Sequence, residues 1–160
     1  MARVDSINTS RGGVPKRPVF DAFIDEAGLS GDDQANRELH GGPDRAVVLY
    51  SLDLIRLLQA EGHPIAPGTT GENLTIEGLD WSTVVPGALL DVGGVRLQVT
   101  CYAPPCRSIR GAFLSGRYQR ISQTEHPGWS RVCARVLEPG LVSPGDPVRL
   151  ADSPAVIETP

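Results

Sequence analysis

Glycine and proline constrain this chain more than any motif does. Eighteen glycines and 14 prolines cut its 160 residues into short pieces. Short pieces separated by turns suit a β-dominated fold, since long helices tolerate neither residue well in their interior. Alternation points the same way. Residues 95–101 put Val95, Leu97, Val99 and Cys101 on one face, with Arg96, Gln98 and Thr100 on the other. Further strands are predicted over residues 2–7, 19–24, 46–50, 74–76, 81–85, 89–92, 129–136 and 148–150. One helix is predicted: Ser51 is a good N-cap, Asp53 lies in the first turn, Leu54, Ile55 and Leu58 share a face, and Gly62 with Pro64 stops it. In residues 108–119, Gly111 and Gly116 allow at most short helical turns. The expected fold is mainly β, a closed or partly closed barrel of many short strands with one or two inserted helices. Residues 1–150 are expected to form one domain and residues 151–160 a flexible tail.

Composition excludes several classes of function. A net charge of −4 offers no basic field for nucleic acid, and 5% aromatic content leaves few platforms for stacking bases. No apolar run reaches membrane-spanning length, and the N-terminus lacks the pattern of a secretory signal. Three cysteines, an odd number, then fit free thiols in a reducing cytoplasm. Lys16 is the single lysine beside 14 arginines. Schiff-base chemistry would have only that residue to use, so pyridoxal phosphate is not an expected cofactor.

The chemistry is expected at Cys106. Pro104 and Pro105 end the preceding strand, because neither donates a ladder hydrogen bond, and they deliver the thiol on rigid backbone. Arg107 follows and Arg110 is near, and neighbouring guanidinium groups favour the thiolate that attacks substrates or ligates metal. A free cysteine is more often a small buried apolar residue, and Cys101 and Cys133 are read that way.

Several loops taken together resemble one family. The ordered set is Leu39-His40-Gly41-Gly42-Pro43-Asp44-Arg45-Ala46-Val47, then Gly71-Glu72-Asn73-Leu74-Thr75-Ile76-Glu77-Gly78-Leu79, then Pro105-Cys106. Pro15-Lys16 precedes it, and Arg135-Val136-Leu137 with Gly140 and Gly145-Asp146 follows. This looks like the MOSC domain, named for the C-terminal domain of molybdenum-cofactor sulfurase, in its short stand-alone bacterial form. The resemblance covers roughly residues 3–150. It implies a barrel-like, strand-rich fold that binds the molybdenum cofactor (molybdopterin) or handles its sulfur. The family's invariant cysteine maps onto Cys106, which in cofactor-bound relatives ligates molybdenum beside two dithiolene sulfurs. A soft thiolate suits such a centre. His40, Gly41 and Gly42 would bring backbone N–H groups to the cofactor's phosphate, with Arg45 and Arg107 as a bidentate clamp. Asp44 and Glu72 belong to the same loops, and Asn73 offers a donor and an acceptor to a pterin edge.

Each of these residues also has a structural reading. His40 can be a hydrogen-bonded structural histidine, Glu72 a partly buried ion pair with an arginine, Asp44 a turn cap, and Asn73 the holder of a left-handed turn. His63 and His126 precede prolines and read as loop residues. Eukaryotic reductase relatives carry an arginine-containing cofactor loop and a preceding substrate-gating domain. Gly71-Glu72-Asn73 stands at that loop here, and the chain leaves no room for the second domain.

The expected activity is reduction of a small N-hydroxylated or N-oxide substrate. The chain has no dinucleotide fingerprint and too few cysteines for an iron–sulfur cluster, so electrons would come from a separate reductase protein. The alternatives are a sulfur- or thiol-transfer enzyme using Cys106, and a non-catalytic carrier of the cofactor. No nucleic-acid or membrane partner is expected, and the protein is expected to be a monomer or homodimer.

Overall fold

The computed structural model describes residues 1–32 and 42–151. The strands are β1 Arg3–Thr9, β2 Arg17–Val19, β3 Ala22–Asp25, β4 Gly28–Leu29, β5 Val47–Ser51, β6 Leu74–Glu77, β7 Leu89–Val92, β8 Val95–Tyr102, β9 Val132–Glu138, β10 Gly140–Val142 and β11 Val148–Leu150. Helix α1, Leu52–Ala60, follows β5 directly. The Ser51 hydroxyl accepts from the Leu54 N–H at 3.1 Å, and Leu52, Ile55 and Leu58 face the core.

Eight strands form one sheet in the order β11-β7-β8-β9-β5-β6-β1-β2, and β10-β3-β4 form a second. β5 and β6 pair in parallel, with α1 in the crossover between them; the other pairs are antiparallel. Val4, Ile7, Leu49, Leu74, Ile76, Leu97, Val99, Val132 and Ala134 fill the core, each at most 1% exposed. The fold is mainly β, as alternation and punctuation predict.

The closed or partly closed barrel is not confirmed, and two strand expectations need correction. Among the described residues no ladder closes the large sheet into a barrel. Its two sides meet instead through one bridge, Arg3 with Pro147, and through the backbone hydrogen bonds of Val4 N–H to the Asp146 carbonyl (2.9 Å), Gly145 N–H to the Val4 carbonyl (2.7 Å) and Val148 N–H to the Ala2 carbonyl (3.1 Å). The strand predicted over residues 19–24 is two strands in different sheets, β2 beside β1 and β3 beside β10. The strand predicted over residues 81–85 is a 3₁₀ turn, Trp81–Thr83. There the Asp80 carboxylate takes hydrogen bonds from the Ser82 N–H (3.1 Å) and hydroxyl (2.7 Å), which compete with strand pairing. Residues 108–119 do form short turns: the 3₁₀ helices Arg107–Ala112, Leu114–Gly116 and Tyr118–Ile121 span that region.

No helix among the described residues is long and apolar enough to cross a membrane.

Candidate functional site

β8 ends at Tyr102, and the proline pair carries the chain to Cys106, which starts the 3₁₀ helix Arg107–Ala112. The Ile109 N–H donates to the Cys106 carbonyl at 3.1 Å, fixing that start. The thiol is half-buried, and its Sγ lies 2.7 Å from the Ser108 hydroxyl. Arg107 is exposed, and Arg110 turns back to donate to the Arg107 carbonyl at 3.1 Å.

The guanidinium behind this loop belongs to Arg131, just before β9. Arg131 is only 7% exposed. Its Nη1 donates to the Thr70 carbonyl at 2.5 Å, and its Nη2 to the carbonyls of Pro104 (3.1 Å) and Ala103 (3.4 Å). It therefore ties the cysteine loop to the loop before β6. Its Nε is buried with no hydrogen-bond partner among the described residues. Burial lowers its pKa, while the nearby acid Glu72 opposes that shift.

Glu72 and Asn73 are wholly buried and committed to the fold. The Glu72 carboxylate accepts from the Gly68 N–H (3.0 Å) and the hydroxyls of Thr70 (2.8 Å) and Thr75 (2.9 Å). Among the described residues it makes no direct ion pair. Burial raises its pKa, and those hydrogen bonds oppose the rise. Asn73 does not hold a left-handed turn; Gly71, two residues earlier, has the positive φ of 82°. The Asn73 Oδ1 accepts from the Val48 N–H (2.9 Å), and its Nδ2 donates to Asp32 Oδ2 (3.0 Å) and the Asn8 carbonyl (3.3 Å). Its amide thus joins three segments, with both donors and its acceptor in use.

Asp32 anchors a second cluster. Lys16 Nζ lies 2.8 and 2.7 Å from its two carboxylate oxygens, with both side chains under 10% exposed, and the Ser10 N–H donates to Oδ1 at 2.9 Å. The lone lysine is a buried structural cation tied to the same aspartate as Asn73.

Of the expected anion-binding loop, His40 and Gly41 lie outside the described residues. Gly42 has φ 93°, and a Cβ there would meet no atom of the described residues within 4 Å, so the backbone conformation is what favours glycine. It leads into the 3₁₀ turn Pro43–Arg45, which rests on β8 and β9. The Asp44 carbonyl accepts from the Thr100 hydroxyl, and its carboxylate lies 3.6 Å from Arg135 Nε. Arg45 acts electrostatically on Cys133, the register partner of Cys101. Cys133 is buried, while Cys101, beside a register shift in β8, is half-buried rather than core.

Cys106, Arg131 and residues 70–73 are thus one connected unit, braced by Lys16 and Asp32. The turn Pro43–Arg45 reaches it across β9, since Cys133 feels both Arg45 and Arg131. Sequence reasoning missed Arg131, Asp32, Ser108 and the structural use of Lys16. The one available signal for Arg131 was a charge opening an alternating strand. His63 and His126 line a separate cleft of about 640 Å³ with Glu61, Arg117 and Arg120, and Cys106 does not border it.

The family profile of the MOSC domain matches residues 36–149. The YflK protein of Bacillus subtilis (strain 168) is 32% identical over 135 residues, covering 83% of this chain and 60% of that protein. The YiiM protein of Escherichia coli (strain K12) is 33% identical over 133 residues, covering 80% of this chain and 58% of that protein. The chain thus spans about three fifths of the length of these curated relatives. The crystal structure of YiiM from Geobacillus stearothermophilus aligns with a TM-score of 0.75 and 26% identity, over 95% of this chain and 76% of that one.

Proposed function

This chain belongs to the MOSC domain family, and from that premise we propose that it binds the molybdenum cofactor with Cys106 as the protein's ligand to the metal. The observation that carries this reading is one half-buried thiol on a proline-stiffened strand end, with a buried guanidinium behind it. The donor set fits the group. Among the described residues no three His, Cys, Asp or Glu side chains are placed to hold a metal ion. A metal at Cys106 would be completed by sulfur donors of an organic group, as a dithiolene provides. The unpartnered Nε of Arg131 adds uncompensated donor capacity under the same loop.

The bound cofactor supplies a two-electron centre able to remove an oxygen atom from a small N-hydroxylated or N-oxide substrate. The protein's own residues hold and orient. Ser108 hydrogen-bonds the thiol, Arg131 fixes residues 103–104, and Arg45 with Arg107 provides positive charge for a phosphate. Glu72 and Asn73 serve by bracing the loop before β6. Electrons come from a separate reductase protein.

The test is metal analysis of protein made in a host that synthesises the cofactor, for the natural chain and Cys106→Ser. Near-stoichiometric molybdenum, lost in the variant, supports the reading. Turnover of an N-hydroxylated substrate with a chemical electron donor supports the reductase role. Background molybdenum in the natural chain, with a persulfide on Cys106, replaces it with sulfur transfer.

A further inference from the structure

Two of the three thiols have no part in the reading above, and the fold puts them side by side. Cys101 on β8 and Cys133 on β9 are register partners in an antiparallel ladder. Such partners have Cα atoms about 4.5–5.5 Å apart. That range lies inside the roughly 4.4–6.8 Å over which disulfides form. The ladder shifts register between Val99 and Cys101, and the Thr100 hydroxyl lies within 3.8 Å of Cys101 Sγ and 3.2 Å of the Cys133 carbonyl. Cys106 differs, since its thiol pairs with Ser108.

We propose that Cys101 and Cys133 form a redox couple, a dithiol that a hydroperoxide closes reversibly to a cross-strand disulfide beneath the turn Pro43–Arg45. Cys101 is half-buried and reacts first; Cys133 is buried and resolves. The Cys101 thiolate attacks one peroxide oxygen, the O–O bond breaks, and hydroxide leaves, giving a sulfenic acid. The Cys133 sulfur then attacks the Cys101 sulfur, expelling the second oxygen, which leaves as water with the Cys133 proton. Two thiols lose two electrons and two protons in all, and hydrogen peroxide becomes two waters. A dithiol reductant reverses the change by thiol–disulfide exchange. The new bond links β8 to β9 where Thr100 holds the Asp44 carbonyl, so the oxidised protein carries a covalent brace under that turn.

The experiment uses the full chain, reduced and then exposed to hydrogen peroxide, with no cofactor needed. The expected result is loss of the mass of two hydrogens and a fall from three alkylatable thiols to one. Dithiothreitol should restore all three. Trypsin leaves Cys101 and Cys106 on one peptide, residues 97–107, so tandem fragmentation must place the link. Cys106→Ser should still close; Cys101→Ser should not, and Cys133→Ala serves as the second non-closing variant should serine disturb the fold. A link through Cys106, or three unlinked thiols after peroxide, would overturn the proposal. Neither result bears on molybdenum content, so this reading and the cofactor reading fail separately.

Discussion

Arg131 Nη2 stands 3.1 Å from the carbonyl of Pro104, two residues before the candidate ligand Cys106. The same guanidinium holds the Thr70 carbonyl, so one buried side chain sets the distance between two loops that sequence places about 30 residues or more apart. Arg131→Met removes those donors and takes away the side-chain partner of the Thr70 and Pro104 carbonyls, while Ala103 keeps the Ser130 hydroxyl at 3.5 Å. Each unsatisfied buried group costs about 1–3 kcal/mol. Urea unfolding should show a loss in that range or above, and the amides of Cys106 and Arg107 should exchange hydrogen faster. Unchanged exchange would remove Arg131 from its anchoring role.

Cys106→Ser should leave the fold intact. The thiol is half-buried at a loop, so the expected cost is under about 1 kcal/mol by thermal unfolding. Cofactor occupancy should vanish with the sulfur. Serine that retained molybdenum would remove Cys106 from the ligand set.

Lys16 and Asp32 form a buried ion pair, so breaking one side strands a charge. Asp32→Ala should cost about 3–5 kcal/mol in urea unfolding. It also strips a partner from Asn73 and Ser10. Lys16→Met with Asp32→Leu should cost less than either single change, because no lone buried charge remains.

Two glycines with similar φ separate conformation from space. Gly68 has φ +85°, and a Cβ there would strike the Lys16 carbonyl, whereas Gly42 has φ +93° and open space around it. Gly42→Ala should cost about 1–3 kcal/mol, the strain of a side chain at φ 93°, ψ 165°, a conformation essentially confined to glycine. Gly68→Ala should cost clearly more. Equal losses would mean that the contact at Lys16 relaxes freely.

Glu72 predicts a pH effect. Its folded-state pKa is raised by burial, so the unfolded chain releases this proton first as pH rises. The folded state then binds more protons in that window, and Glu72 lowers stability as pH climbs through the ordinary carboxyl range. Between about pH 4.5 and 7, the natural chain should lose stability relative to Glu72→Gln, measured by urea unfolding. A gain with pH would mean that its three hydrogen bonds outweigh burial.

What could be read from sequence was local. The Ser51 cap, the face of Ile55 and Leu58 and the alternation of residues 95–99 each need only neighbouring residues, and each recurs in the fold, whereas Cys101 beyond the register shift is not part of the buried face. Trp81 misled because its strand-like company hides the short hydrogen bonds of Asp80. Arg131 looked like an outward charge, since only residues 68–73 and 103–106, folded over it from elsewhere, make it interior. Glu72 takes its partners Gly68, Thr70 and Thr75 from within four residues, but Asn73 takes Asn8, Asp32 and Val48 from segments far away in the chain. Such partners are set by topology, which no window of one sequence contains.

The seam between residues 2–4 and 145–148 has a consequence for how the protein is made. Val4 and Asp146, bonded at 2.9 Å, are 142 positions apart, so a nascent chain cannot form this contact until residue 146 has been made. Until then the first strand has only β2 and β6 for neighbours, and the backbone of Val4 waits for its partners. Translation speed through the codons that lead up to residue 148 therefore sets how long that edge waits unpaired.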